Sequence, residues 1–126
     1  MKTVIRILFA TVSIALITAC GGGADSGASV FGSLASRVGG LEVGVSVGQA
    51  TQAAADALAL NKCGNNCVVK VNFTNGQCVS SAYSTGNGGL MVWAVGSTQS
   101  EAANNAMLAC VSGGGTFCSN YRGGCN

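Results

Sequence analysis

The apolar pattern divides the chain into three stretches. Ile7 to Ile17 is apolar except at Thr11 and Ser13. Residues 22–40 are dominated by Gly, Ser and Ala, with Val30, Phe31, Leu34 and Val38 as the few larger apolar side chains. From Leu41 onward the apolar positions become periodic. Ala55, Ala59, Leu60 and Cys63 share one helical face, and Ala102, Ala106, Met107 and Cys110 repeat that face at identical spacing. Alanine dominates both, so each helix axis can approach a sheet closely. Cys67, Val69, Val71 and Phe73 alternate with Val68, Lys70 and Asn72, the period of a half-buried strand.

Turn and cap signals complete the elements. Asn75-Gly76 predicts a type I′ hairpin that returns as a strand over 78–83. Thr98-x-x-Glu101 predicts a capping box, each side chain satisfying the other residue's free N–H. The full reading is strand 41–47, helix 50–62, strands 67–73, 78–83 and 90–96, helix 98–111 and strand 116–122. Residues 20–40 read as a flexible linker, with a short helix around Val30 to Val38 as the minor alternative, and the folded domain as 41–126.

The folded part looks duplicated. Val47-Gly48 precedes the first helix and Val95-Gly96 the second, with one residue of slack. Cys63 to Cys78 and Cys110 to Cys125 are equal steps, each enclosing one further cysteine, Cys67 or Cys118. The expected class is α+β: two pseudo-repeated β-α-β units on one largely antiparallel sheet, with both helices on one face and three disulfides.

Seven cysteines fall as one plus six. Lys2 and Arg6 precede the apolar run of Ile7 to Ile17, which is about half the ~20 residues that span a bilayer. Residues 1–19 therefore read as a removed signal peptide. The run ends in Ile17-Thr18-Ala19-Cys20, which resembles the bacterial lipobox. That resemblance implies lipid on the Cys20 sulfur and amino group, with cleavage before it. Acyl chains at ~0.8 kcal/mol per buried methylene would hold the protein on a membrane. Gly21 follows Cys20, where lipoproteins retained on the inner membrane typically carry Asp, so the outer membrane is the expected location.

The remaining six cysteines suit three bridges in an oxidising compartment. Cys63-x3-Cys67 departs from the Cys-x2-Cys form of metal and redox sites, and no metal or cofactor is expected. Cys63 ends a helix just before Cys67 opens a strand, so these two can meet, and the repeat predicts Cys110–Cys118 likewise. Cys78 sits at the far end of the strand from Cys67, roughly 20 Å away at ~3.3 Å per residue and beyond the ~7 Å Cα limit for a bridge. That leaves Cys78–Cys125, expected to tie the two copies together. A Cys67–Cys118 link between equivalent strands is the rival.

The repeated helix pattern, the cysteine placement and Trp93-Ala94-Val95-Gly96-Ser97 before the second helix resemble family 4189 of the domains of unknown function, over about residues 41–126. Its members are small exported bacterial proteins. The resemblance implies a fold and a compartment, and no catalytic residue comes with it.

Charge and composition narrow the function classes. Without the leader, Arg37, Lys62, Lys70 and Arg122 balance Asp25, Glu42, Asp56 and Glu101, so there is no basic excess of the kind that nucleic-acid binding draws on. The chain has no histidine, which removes Ser-His-Asp and Cys-His catalysis. Asp56 and Glu101 lie near the starts of the two helices, where the dipole favours an acid. Tyr83, Trp93, Tyr121 and Arg122 are the candidate interaction surface, though the aromatics weigh more toward core. The expectation is a non-catalytic envelope lipoprotein that binds an envelope protein, such as an inhibitor or immunity protein. The alternatives are a small periplasmic cell-wall enzyme using Asp56 or Glu101, and a structural envelope component.

Overall fold

A computed structural model describes residues 28–86 and 89–126. The leader, Cys20 and the linker up to residue 27 lie outside the described residues. The elements are β1 (Phe31–Arg37), β2 (Val43–Gln49), α1 (Gln52–Cys63), β3 (Cys67–Thr74), β4 (Cys78–Ser84), β5 (Met91–Gly96), α2 (Gln99–Ser112) and β6 (Cys118–Cys125). They form an α+β domain of two antiparallel three-stranded sheets, ordered β2-β1-β3 and β5-β4-β6. The single sheet expected from the sequence is thus two.

The repeat unit is β-β-α-β. Both copies have the same strand order, with the first strand of each in the centre. β1 occupies residues read as linker, and the minor helix alternative there is also replaced by strand. Its composition explains the misreading. Gly32 to Ser36 are buried without interruption, because a central strand is covered on both faces. Ala35 packs on α1 through Ala59 and Cys63, while Leu34 joins Val43, Phe73 and Val79 in the cluster between the sheets. β4 is alike, Ala82 meeting Ala106 and Cys110 of α2 while Val79 faces the central cluster. Each helix therefore covers the outer face of its own sheet, and the sheets stack on one another. The two helices do not share a face.

The copies exchange volume in the shared core. Phe73 lies opposite Gly32 in the first, and Val79 lies opposite Gly124 in the second. Leu34 lies opposite Val45, whereas Ser81 lies opposite Trp93. Burying Phe73 and Leu34 contributes roughly 1.5–3 kcal/mol each, and the small partners keep the layer at native density. α1 sits close on β2 because Gly44 has no side chain; a Cβ there would overlap the Ala59 carbonyl oxygen and come within 2.5 Å of the Cys63 nitrogen. The one-residue slack before the first helix is a bulge. The β1–β2 register shifts between Phe31 and Ser33, and Gly48 takes a φ of 67°, open to glycine at little cost.

Asn75-Gly76 is a corner and not a hairpin. β3 and β4 lie in different sheets, and only Gly76 has positive φ, whereas type I′ needs it at both central residues. The Gln77 N–H bonds Thr74 O at 3.0 Å, and the Asn75 side chain accepts the Val30 N–H at 2.6 Å. Asn126 locks the corner, its Nδ2 donating to Phe73 O and its Oδ1 accepting the Gly48 N–H.

The bridges are Cys63–Cys67, Cys110–Cys118 and Cys78–Cys125. The third closes a different connection from the one expected. Cys78 and Cys125 face each other on β4 and β6 with Cα atoms 3.9 Å apart, so the bond lies inside the second copy. The equal cysteine steps were a false register: the counterpart of the Cys78–Cys125 pair is Phe31 opposite Thr74.

Candidate interaction surface

Both acids that could serve a reaction are committed to holding helices. Asp56 is half-buried on α1 and accepts from the Ser33 hydroxyl and from Gln52 Nε2, the latter at 2.8 Å. Gln52 also donates to Ser33 Oγ at 2.7 Å. This cluster pins the first turn of α1 to the central strand. Gln52 Nε2 also reaches Gly32 O at 3.5 Å. In the second copy Gln99 makes the matching bond to Val79 O at 3.4 Å, and Ala103 stands where Asp56 would be, so the extra carboxylate belongs to the first copy alone.

Glu101 caps α2. Its N–H donates to Thr98 Oγ1 at 3.1 Å, as the capping motif predicts. Its carboxylate reaches one residue further than expected, accepting from the Ser97 N–H at 2.8 Å and from the Ser97 hydroxyl. Those donors, the hydroxyl first, hold the Glu101 pKa below the ordinary glutamate value, because they stabilise the charged form. Asp56 and Glu101 are on helices that cover different sheets. Among the described residues no group of three or more His, Cys, Asp or Glu is placed to hold a metal ion, and no helix is long and apolar enough to cross a membrane.

Three of the four residues singled out for recognition come together. Tyr83 on β4 meets Tyr121 on β6 edge-to-face, with ring centroids 5.7 Å apart. The Arg122 guanidinium lies over the Tyr121 ring at 5.3 Å. Tyr121 is 45% exposed and Arg122 is exposed. Both sit at a bulge, where the β4–β6 register shifts between Ser80 and Ala82. Buried Ser81 holds that bulge shut. Its hydroxyl donates to Arg122 O at 3.0 Å and accepts the Arg122 N–H at 3.2 Å. A bulge re-aims the side chains of its strand, and here it turns Tyr121 and Arg122 outward.

Trp93 is elsewhere. It lies half-buried on edge strand β5, against the central cluster, with the Lys70 ammonium 5.4 Å from its ring centroid. Lys70, read from the sequence as a solvated outward residue, is half-buried at this contact.

The sequence reading missed the recess beside Arg122. A groove of about 590 Å³ runs between β2 and β6, lined by Val43, Gly44, Val45, Lys62, Tyr121, Arg122 and Gly123. A smaller recess of about 240 Å³ lies at the other seam and includes Lys70, Met91 and Trp93. Lys62 carried no signal of its own, since its role depends on α1 ending above β2.

Residues 31–125 match the family model described as a domain of unknown function, DUF4189. No curated protein and no solved structure matches the chain.

Proposed function

The chain belongs to the DUF4189 family, and within that family we propose a non-catalytic protein-binding module, lipid-anchored through Cys20 in the bacterial envelope, with the outer membrane favoured. The kind of protein that fits is an inhibitor or immunity protein acting on an envelope partner. The observation that carries the reading is the Tyr121–Arg122 bulge. Tyr and Arg are enriched among residues that dominate binding energy. Here both are exposed, stacked on each other and fixed by a buried serine, so little side-chain freedom is left to lose on binding.

The disposition of the acids supports the same reading over the cell-wall enzyme. Asp56 is held by the side chains of Ser33 and Gln52, Glu101 takes the Ser97 N–H and hydroxyl ahead of α2, and the two lie on helices that cover different sheets. A general acid–base pair works only when both groups reach one substrate.

Affinity capture from solubilised envelope tests the proposal. Wild type should retain a stoichiometric protein, and Tyr121→Ala and Arg122→Ala should lose it while keeping the wild-type melting profile. Turnover of cell-wall material that disappears in Glu101→Gln would instead establish the enzyme.

A further inference from the structure

The two recesses correspond in part: by strand register Val43, Val45 and Tyr121 of the larger match Met91, Trp93 and Lys70 of the smaller. Val45 and Trp93 occupy the same register, each opposite the fourth residue of its central strand, Leu34 or Ser81. Lys70 and the Tyr121–Arg122 pair sit at the same bulge of β3 and β6, where both registers shift. In the second-copy seam Trp93 fills the recess beneath Lys70, leaving about 240 Å³. In the other seam Val45 stands in place of the indole, and about 590 Å³ stays open. The open volume falls within the ~300–1,000 Å³ of ligand sites.

The open groove is also positive. Lys62 and Arg122 flank it, and the ion pair among the described residues, Arg37–Glu42 at 2.8 Å, involves neither. Lys62 Nζ is parked on Val45 O at 2.9 Å, and Arg122 is stacked on Tyr121. A guanidinium stacked by its face keeps its N–H edge free for a bidentate carboxylate. The walls are the outer edges of β2 and β6, the edge strands of their sheets. An extended chain can hydrogen-bond to such edges. Two cations are few for a polyanion, whose binding rests on displacing many counterions.

We propose that the β2–β6 groove takes an extended, carboxylate-bearing segment of a protein partner, its acid paired to Arg122 and Lys62. This rests on the protein-binding reading above and names the chemistry of the partner. The volume left by the Trp-to-Val difference between the copies makes the space, and the two cations, in no ion pair among the described residues, set the charge.

The test is a ¹⁵N NMR titration of the full chain in detergent solution, following the Gly44 and Gly123 amides. The probes are a blocked hexapeptide of alternating valine and glutamate, the same peptide with glutamine, and phosphatidylglycerol vesicles. The acidic peptide should shift both amides saturably, at least about tenfold more tightly than the glutamine peptide, a difference of about 1.4 kcal/mol. Arg122→Glu and Lys62→Glu, both at exposed positions, should each abolish the shifts. Val45→Trp should do the same by filling the groove as Trp93 fills its counterpart. Equal response to both peptides, unchanged binding in the charge-reversed variants, or a response to vesicles alone would overturn the assignment. If envelope capture yields a partner that Arg122→Glu still binds, the groove fails and the binding module stands. If the peptide binds and capture yields nothing, the groove stands and the module reading fails.

Discussion

Removing the Cys78–Cys125 bridge should destabilise the domain more than removing either of the others. The three bridges differ chiefly in the loop they close. Their sequence separations are 4, 8 and 47. Each has one well-buried sulfur, on Cys63, Cys110 or Cys78, and one more exposed partner. Replacing a pair by alanine therefore removes similar packing in all three cases, and the loop entropy of the unfolded chain decides the order. That entropy corresponds to about 2, 2.5 and 4 kcal/mol at 25 °C. Cys78→Ala with Cys125→Ala should thus cost roughly 1.5–2 kcal/mol more than either other double variant. The loop it releases contains β4, β5, α2 and β6, so the second copy loses its closure. Urea unfolding of the three double variants, with midpoint and slope fitted separately, measures the difference. The reasoning fails if the Cys110–Cys118 variant is as destabilised at an unchanged slope. Against a total of ~5–15 kcal/mol for a domain, reducing all three bridges together should unfold the protein.

Gly44→Ala should cost about 2–4 kcal/mol, since the new Cβ meets the backbone of α1 and overpacking against backbone has no cheap relief; a thermal melt within about 2 °C of wild type would refute it. Glu101→Gln should destabilise at neutral pH, and the difference should shrink on acidification. The sign follows from the depressed Glu101 pKa: the contribution is present above the unfolded value and is lost as pH falls through the folded one. Paired melts across that range check it, and a gap that widens toward acid would contradict the cap. Cys20→Ser should leave the protein uncleaved or released from the membrane fraction, and equal labelling of wild type and variant by a fatty-acid analogue would remove the anchor.

What the chain by itself determined is local. The alanine faces of α1 and α2 and the Thr98 cap are short-range patterns, each deciding one element through propensity and period. The β3 alternation found its strand but not its faces, because the bulge at Lys70 leaves Cys67 on the α1 side and puts Val71 and Phe73 in the central cluster. The short bridges were legible for the same reason, because a helix end and the next strand start are close in any fold. Tertiary structure decided the rest. β1 was invisible because a strand buried on both faces against a close helix needs small residues, and Gly32, Ser33, Ala35 and Ser36 are also what a linker uses. Missing it moved the repeat boundary by one strand. That misplacement turned a corner into a hairpin and put Cys78–Cys125 between the copies. The groove depends on long-range packing most of all. Val45, Lys62 and Arg122 are far apart along the chain, and they meet only because two sheets stack and a bulge held by Ser81 turns β6 toward solvent.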